Sequence, residues 1–413
     1  MIKVRCFISI LLSVGLATWS KAAVREVCAA CPVSSLAAAI SVSAPGDSIT
    51  IRPGTYYEAN IIISKPLTIV GNGDVLFDGG GRGYILKITA DQVAVSGITF
   101  INSGKSYTHD FAAIYISKSK NFNIFQNKII NPYFGILVEK SHQGTIAENI
   151  IKGNSKREDD SGNGIHLWHC SKIEIVKNEV TQLRDGIYFE FVSESTVSEN
   201  NSHGNIRYGL HFMFSNNDEY SYNLFYNNGA GVAVMFSKFI LMHHNKFVKN
   251  WGTASYGLLL KEIYDAEIKD NSFEENTIAI FIEGSTRINY IHNDFARNGW
   301  AIKIAGAAYT NYFTQNNFVH NAFDLSYSGK INDNVFDGNY WSGYRGYDLD
   351  RNNIGDIPYR PVKLFSYIVN NTPETIVLLR SLFIDIINFS ESVSPVFTPD
   401  DLADSKPMMY ELK

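Results

Sequence analysis

The chain has 413 residues and a formal net charge of -5, with 45% hydrophobic and 19% charged residues. A single compact core rarely organises a chain of this length, so two domains or an elongated repeat architecture is expected. The acidic balance argues against nucleic acid as a partner, because nucleic-acid binding needs basic patches.

The first 22 residues have the pattern of a secretory signal. Lys3 and Arg5 precede an apolar run over residues 6–19, and small residues follow up to Ala22. We therefore expect cleavage near Ala22 and a soluble mature chain in the periplasm. No later apolar stretch reaches the roughly 18 residues without charge that a membrane-spanning helix needs.

Three cysteines follow that cleavage site. Cys28 and Cys31 form a CxxC pair, for which an oxidising compartment favours a local disulfide, with metal binding as the alternative. The third, Cys170, is expected to be a small buried hydrophobe.

Residues 34–42, SSLAAAISV, predict a short helix that caps the open end of a repeat structure. Residues 49–100 predict its first, less regular coils. Between residues 113 and 340 a unit of the form small-I-x-L, turn, I-x-I-x-x-N-x-F, turn recurs with a period near 22. Its asparagine falls at Asn127, Asn149, Asn178, Asn200, Asn223, Asn245, Asn271, Asn293, Asn316 and Asn334.

A period of this length indicates a solenoid. The unit alternates with period two and is too short for a βαβ element, so it predicts coils of short strands. The interpretation is an all-β, right-handed parallel β-helix. The asparagines are expected in turns, with left-handed backbone and an amide ladder between coils. A small residue before the first strand of each unit, such as Gly164, is expected to form a tight corner.

The alternation also separates the core from the surface. The residues expected to point inward are Ile165, Leu167, Ile187, Phe189, Leu210, Phe212, Val232, Val234, Leu258 and Leu260. The outward pairs are His166 and Trp168, Tyr188 and Glu190, His211 and Met213, Ala233 and Met235, and Leu259 and Lys261. Coils stack about 4.8 Å apart, so Met213 and Met235 should be vertical neighbours.

Outward methionines on consecutive coils are unusual, because methionine normally fills cores. Thioether and imidazole ligands together select a soft ion such as Cu(I). The alternative is an apolar protein-contact surface without metal. The adjacent pair His243 and His244 is a secondary candidate, for which a solvated turn is the simpler interpretation.

Past the repeats, Asp348, Asp350, Asn352 and Asp356 have the alternating oxygen ligands of a calcium loop. The closing glutamate of an EF-hand is missing, so a polar turn is the alternative. Residues 373–392 predict an amphipathic helix, which is followed by an extended tail. The expected division is a signal over residues 1–22, the β-helix with its cap over 23–362, and the helix and tail over 363–413.

Parallel β-helices often act on polysaccharides through paired carboxylates. The one obvious pair, Asp159 and Asp160, lies in an inserted loop without supporting residues, and no nucleophile or phosphate motif is present. We therefore expect no enzyme activity. An exported β-helix that binds or modifies carbohydrate remains the alternative function, with Tyr115, Tyr188 and Trp168 available to stack on a sugar.

Several segments together resemble the NosD family of β-helical maturation factors. They are GNGIHLWHC, RDGIYFEF, YGLHFMFSNNDEYSYN, GVAVMFS, YGLLL, GNYWSGYRGYDLDRNNIGDIPYRP and a terminal DSKPMM. The resemblance covers nearly the whole mature chain. It implies copper passed to apo nitrous oxide reductase, together with an ABC transporter of the NosF and NosY kind and a copper chaperone of the NosL kind.

The resemblance strengthens the prediction that copper binds among the outward-pointing residues. The first-choice ligands are His211, Met213 and Met235, with His166 and Glu190 further out. Trp168 and the tail methionines Met408 and Met409 are expected to contact partners, with the C-terminal helix meeting the transporter. Cys28 and Cys31 match no family motif, and if reduced they offer an alternative copper site.

Overall fold

The computed structural model describes residues 23–106, 108–252, 254–328, 333–379, 381–393 and 402–413. The predicted signal sequence lies outside the described residues. Within them the chain winds as a parallel β-helix, and each coil adds one strand to each of three sheets. The predicted right-handed β-helix is confirmed.

Sheet 1 has 14 described strands, in the order Val24–Val27, Ser48–Ile51, Thr68–Gly71, Ala94–Ser96, Asn123–Phe125, His142–Ala147, Ser171–Val176, Thr196–Ser198, Glu219–Ser221, Leu241–His243, Tyr264–Lys269, Thr286–Ile291, Tyr312–Thr314 and Val335–Asp337. Sheet 2 has 13, in the order Gly54–Tyr56, Val75–Asp78, Thr99–Ile101, Lys128–Ile130, Ile150–Lys152, Glu179–Thr181, Asn201–His203, Leu224–Tyr226, Lys246–Val248, Ser272–Glu274, Asp294–Ala296, Asn317–Val319 and Tyr340–Trp341. Sheet 3 has 12, in the order Ile61–Ile63, Leu86–Ile88, Ala112–Ser117, Phe134–Glu139, Asn163–Trp168, Asp185–Glu190, Tyr208–Met213, Ala230–Met235, Tyr256–Lys261, Ile278–Glu283, Trp300–Ala305 and Phe323–Ser328.

The core consists of like side chains stacked along the axis. All ten residues predicted to point inward are buried. On sheet 2 an aromatic stack has neighbouring ring centroids 4.0 to 5.5 Å apart; it comprises Phe225, Phe247, Phe273, Phe295, Phe318 and Trp341. This continuous apolar column is the main source of stability, because each coil buries its hydrophobic face only against its neighbours.

The predicted amide ladder is present at the corner between sheets 1 and 2. The Nδ2 of Asn223 donates to Oδ1 of Asn245 at 2.9 Å, and the same link recurs from coil to coil. Two details differ from the prediction. For the asparagines from Asn127 to Asn316, the left-handed residue is the one before the asparagine, for example Tyr222 with a φ of 58°. The ladder continues from Asn316 to Asn339, whereas Asn334 belongs to a parallel ladder with Asn311.

The recurring glycines do not form corners before the strands. Gly164 is the second residue of the strand Asn163–Trp168. A Cβ atom there would lie 2.3 Å from Cγ1 of Val180 and 2.6 Å from the carbonyl oxygen of Gly186. Crowding inside the coil, rather than turn geometry, therefore requires glycine at this position.

Helices and the tail close the two ends of the solenoid. At the N-terminal end α1, Leu36–Val42, begins at the side-chain cap of Ser35 and buries Leu36, Ala39 and Ile40. At the other end lie α2, Leu364–Asn371, a 3₁₀ segment, Pro373–Leu378, and α3, Leu382–Val393. The prediction of a single helix over residues 373–392 was therefore wrong, because the 3₁₀ segment and α3 occupy this range. No helix among the described residues is long and apolar enough to cross a membrane.

The C-terminal tail folds back onto the last coil. Asp404, which is fully buried, takes the next position of the asparagine ladder. Its carboxylate accepts hydrogen bonds from the backbone N–H of Gly338 and Asn339, from Nδ2 of Asn339 and from Nε1 of Trp341, at 2.9 to 3.1 Å. The backbone N–H of Met408 donates to the carbonyl of Asn339. Residues 402–413 are therefore part of the folded structure.

A buried carboxyl group should make stability depend on pH. Burial raises the pKa of Asp218 from 3.8 to about 7, although the N–H of Ser195 and the Tyr220 hydroxyl oppose the shift. Between these two values the folded state binds the proton more tightly than the unfolded state, so stability falls as pH rises from about 4 to 7. We expect Asp218→Asn to remove at most about 4 kcal/mol of this pH dependence, measured as the free energy of urea unfolding at pH 4.5 and 8. Parallel pH profiles for the two proteins would contradict this assignment.

Candidate metal site

The outer face of sheet 3 presents two parallel rows of side chains. The central row comprises His166, Tyr188, His211, Ala233 and Leu259, and the edge row comprises Trp168, Glu190, Met213, Met235 and Lys261. Strand pairing places Met213 directly beside Met235 and Glu190 directly beside Met213. The predicted vertical pairing of the two methionines is confirmed.

His211 is buried, although the sequence indicated an open position. It is only 6% exposed because the rings of Tyr188 and Tyr208 pack on it, with centroids 5.0 and 4.7 Å away. Neither ring nitrogen has a hydrogen-bond partner. A buried polar group without a partner costs about 1–3 kcal/mol, so this imidazole has an unused capacity to bind a ligand.

A carboxylate lies behind the imidazole. Oδ2 of Asp185, which is fully buried, is 3.7 Å from Nδ1 of His211, just beyond hydrogen-bond range. Nε and a terminal nitrogen of Arg207 both bind the Asp185 carboxylate. Burial opposes ionisation, but His211 and Arg207 together lower the pKa of Asp185, so it is a carboxylate at neutral pH. A carboxylate near Nδ1 favours the tautomer with the proton on that nitrogen, which leaves Nε2 of His211 available to a metal.

Sequence reasoning missed Asp185 and Arg207. Their separation of 22 residues equals the coil period, so it places them on adjacent coils. This spacing is the feature of the sequence from which the pair could have been predicted.

The edge row is more accessible than the central row. Met213 and Met235 are half-buried, and the Tyr188 hydroxyl lies 3.6 Å from Sδ of Met213 and 3.3 Å from Oε2 of Glu190. Sulfur and imidazole ligands thus lie on the same face, next to one carboxylate. This ligand set suits Cu(I) better than a hard cation.

His166 is separated from the other candidate ligands. The ring of Tyr188 lies between it and His211, with ring centroids 4.6 Å from His166 and 5.0 Å from His211. Burial, assisted by the charge of Arg184, lowers the pKa of His166 to about 3, so its imidazole is neutral at any physiological pH. The structure therefore groups His211, Met213, Met235 and Glu190, and places His166 two coils away.

In the described part of the chain, no three His, Cys, Asp or Glu side chains converge as they do around a bound metal ion. A copper site on this face would therefore depend on the thioethers.

A line of aromatic rings, three of them exposed and the fourth, Phe236, partly buried, borders the edge row. His169, Phe191, Phe214 and Phe236 each directly follow an edge-row residue, and their neighbouring rings stack with centroids 4.7 to 5.2 Å apart. All four have left-handed backbone, with φ between 51° and 54°. This conformation costs roughly 1–2 kcal/mol for a residue other than glycine. We call these four residues the aromatic corner.

The comparison with protein families identifies the chain. The family model described as "Periplasmic copper-binding protein (NosD)" matches residues 52–158 and 147–346. The chain belongs to the NosD family. It is 28% identical over 389 residues to the "Probable ABC transporter binding protein NosD" of Pseudomonas aeruginosa, covering 90% of each chain. The protein of the same name from Stutzerimonas stutzeri is 27% identical over 377 residues, covering 86% of each.

Solved structures similar to this NosD-family chain share its fold at low identity. PfbA, a surface adhesin of Streptococcus pneumoniae, is 12% identical, with a TM-score of 0.53 over 76% of this chain and 91% of its own. A family 28 exopolygalacturonase of Yersinia enterocolitica is 8% identical, with a TM-score of 0.52 over 72% of this chain and 74% of its own. At these identities the likeness concerns the fold alone.

The remaining candidate residues of this NosD-family chain lie apart from the edge row. Cys28 and Cys31 form a disulfide, which leaves no thiolate there for copper, and burial raises the pKa of Cys170 to about 11. In the acidic loop, Asp348 accepts the N–H groups of Asn352 and Asn353.

That loop also uses its other acidic groups internally. The Asp356 carboxylate accepts the N–H of Leu349, and Asp350 accepts Nδ2 of Asn352. This arrangement favours the polar turn, and calcium binding stays a prediction.

The residues predicted to contact partners lie in two separate parts of the NosD-family solenoid. Trp168 lies in the edge row, with Nζ of Lys140 4.6 Å from its ring centroid. Met408 and Met409 are partly buried against the last coil. In the inserted loop, Asp159 pairs with Arg157 and Asp160 accepts backbone N–H groups, so neither is arranged as a catalytic acid.

Proposed function

We propose that this protein receives Cu(I) in the periplasm and passes it to apo nitrous oxide reductase, without catalysing a reaction of its own. Cu(I) would be held by Nε2 of His211 and the thioethers of Met213 and Met235, with Glu190 adding negative charge. The observation that supports this proposal most strongly is a buried imidazole without a hydrogen-bond partner beside two stacked, half-exposed methionines. The copper-binding description of the family agrees with it.

The proposed ligand set suits transfer rather than storage. Two thioethers and one imidazole are neutral ligands, so they bind Cu(I) without the strong attraction of thiolates. A partner offering more or better ligands can then remove the ion, because weaker binding mostly means faster dissociation. Asp185 and Arg207 would fix the imidazole so that it is not reorganised in each transfer.

Access to the thioethers is expected from the side of the aromatic corner. The central row is closed by Tyr188 and Tyr208, whereas Phe191 and Phe214 are 42% and 40% exposed. The aromatic residues occupy the same four coils as the edge-row residues from Trp168 to Met235. At the same corner position, the coil before these four has Lys140 and the coil after them has Glu262. A copper chaperone of the NosL kind would dock on this flat apolar strip.

Replacing the three phenylalanines of the aromatic corner by asparagine should slow copper delivery. Asparagine tolerates left-handed backbone, so Phe191→Asn, Phe214→Asn and Phe236→Asn together should leave the fold intact. We expect an at least tenfold (about 1.4 kcal/mol) weaker interaction with the copper-loaded chaperone, measured by surface plasmon resonance, at unchanged Cu(I) affinity of the protein alone.

Phe239 provides the matched control. It is 51% exposed and has left-handed backbone with a φ of 57°, but it lies three residues after Phe236 and outside the aromatic corner. Phe239→Asn should not alter chaperone binding. Equal effects of the two replacements would argue against docking at the aromatic corner.

The C-terminal helices would dock on the membrane part of an ABC transporter of the NosF and NosY kind. Ile384 of α3 is buried, with Phe365 and Val369 of α2, in a small cluster against Trp300 and Phe323. Other residues of the same segment are large, apolar and exposed, namely Tyr367, Val377, Leu382, Phe383, Ile386 and Phe389. Large exposed apolar side chains grouped on one short segment are typical of an interaction site. Two relatives are named as transporter binding proteins.

An anaerobic Cu(I) titration against a chromophoric chelator tests the proposed function. We expect the mature protein to bind one equivalent of Cu(I) and to release it to apo nitrous oxide reductase. Failure of the protein to compete for any Cu(I) would overturn the proposed site. Hydrolysis or modification of a polysaccharide would favour the carbohydrate alternative.

A further inference from the structure

Two adjacent histidines form a compact group at the corner between sheets 1 and 2, away from the edge row. His243 ends the strand Leu241–His243, and His244 follows at the corner before sheet 2. The Nδ1 atoms of the two imidazoles are 2.9 Å apart, with the rings nearly perpendicular. Nε2 of His243 is 3.0 Å from Oε1 of Glu219 on the preceding coil.

The coil geometry explains why two neighbouring residues meet in this way. Successive side chains of a strand point to opposite faces, but His244 has a φ of 56°, which ends the alternation. The ring of Tyr222, at the same corner of the preceding coil, stacks on His244 at 4.8 Å and meets the edge of His243 at 5.8 Å. Both imidazoles are therefore held in place.

The hydrogen bonds determine which nitrogen of His243 has a free lone pair. Glu219 is a carboxylate acceptor, so Nε2 of His243 is the protonated nitrogen that donates to it. Nδ1 of His243 is then unprotonated and faces Nδ1 of His244. A metal-ligating histidine usually has such a carboxylate on one imidazole nitrogen and the ion on the other.

We propose that His243 and His244 form a second metal site, which binds a divalent ion of the Cu²⁺ type through their two Nδ1 atoms. Two nitrogens bound cis at about 2.0 Å from one ion lie about 2.8 Å apart, close to the separation observed here. The ion replaces the proton between the two nitrogens. That proton moves to Nε2 of His244, so both rings stay neutral, and water completes the coordination.

The surrounding charges are compatible with a cation. Glu219 contacts His243 directly, and on the next coil Lys269 is neutralised by Glu267 at 2.6 Å. Asp270 occupies the same corner position as His244 one coil further on. Because imidazole suits divalent copper and thioether suits Cu(I), this site would bind the oxidised ion and the edge row the reduced one.

Electron paramagnetic resonance of the full mature protein with one equivalent of Cu²⁺ sulfate tests this site. We expect hyperfine coupling to two imidazole nitrogens in the wild type, and its loss in a His243→Asn plus His244→Asn variant. Glu219→Gln should retain the two-nitrogen signal but weaken Cu²⁺ binding by about 10- to 100-fold. Circular dichroism of each variant confirms that it is folded.

Two controls separate this site from other sources of signal. His292→Asn plus His320→Asn removes two other histidines at corners of the solenoid and should leave the signal unchanged. Met213→Leu plus Met235→Leu should also leave it unchanged, so this site can fail or succeed independently of the Cu(I) proposal. Retention of the two-nitrogen signal in the His243 and His244 variant, or no protein-bound Cu²⁺ in the wild type, would overturn the proposal.

Discussion

Replacing Met213 and Met235 together by leucine should lower the affinity for Cu(I) by about 100-fold, if each thioether contributes about 1.4 kcal/mol. Leucine keeps nearly the same volume and apolar surface, so the outer face of sheet 3 should pack as before. It removes only the sulfur lone pairs, on which a soft ion depends. The measurement is an anaerobic competition titration with a chromophoric Cu(I) chelator.

Met242 supplies the control for this prediction. It belongs to the same coil as Met235 but points into the core, where it is 1% exposed. Met242→Leu should therefore leave the Cu(I) affinity unchanged. An unchanged affinity in the double variant would exclude the edge row as the copper site, whatever the control shows.

Replacing Asp404 by alanine should destabilise the C-terminal end of the solenoid by roughly 3–5 kcal/mol. The carboxylate is fully buried and accepts four hydrogen bonds from the last coil and one from the N–H of Lys406. Its loss removes the acceptor of Nε1 of Trp341 and of the backbone N–H of Asn339, whereas Nδ2 of Asn339 keeps its bond to the carbonyl of Phe313. We expect a lower midpoint in urea unfolding and earlier proteolysis of the tail.

Asp404→Asn should cost about half as much, because an asparagine retains the oxygen that continues the ladder from Asn339. Glu411→Ala, at an exposed position of the same tail, should have no effect. If Asp404→Ala unfolds at the same urea concentration as the wild type, the tail does not form part of the cooperative structure.

The sequence predicts the solenoid well because periodicity alone determines it. Apolar residues such as Ile187 and Phe189 alternate with period two, and this pattern itself recurs about every 22 residues. Only short strands stacked coil on coil bury all of these residues in one core. The same register correctly pairs Met213 with Met235. Vertical neighbours therefore follow directly from counting residues.

Burial on the outer face could not be predicted in this way. Whether His211 is exposed depends on how Tyr208, Arg207 and Tyr188 fold over it, and no repeat specifies those side-chain conformations. The prediction of the last asparagine in the ladder was wrong for a related reason. Asn334 and Asn339 both fit the motif locally, and only the pairing of whole coils shows that Asn339 follows Asn316.

X-ray absorption spectroscopy at the copper edge, on mature protein loaded with one equivalent of Cu(I), tests the central claim most directly. The account predicts one nitrogen and two sulfur ligands, with the sulfur contribution lost in the Met213→Leu plus Met235→Leu variant. A copper environment of nitrogen and oxygen alone, or sulfur ligands that persist in that variant, would contradict it.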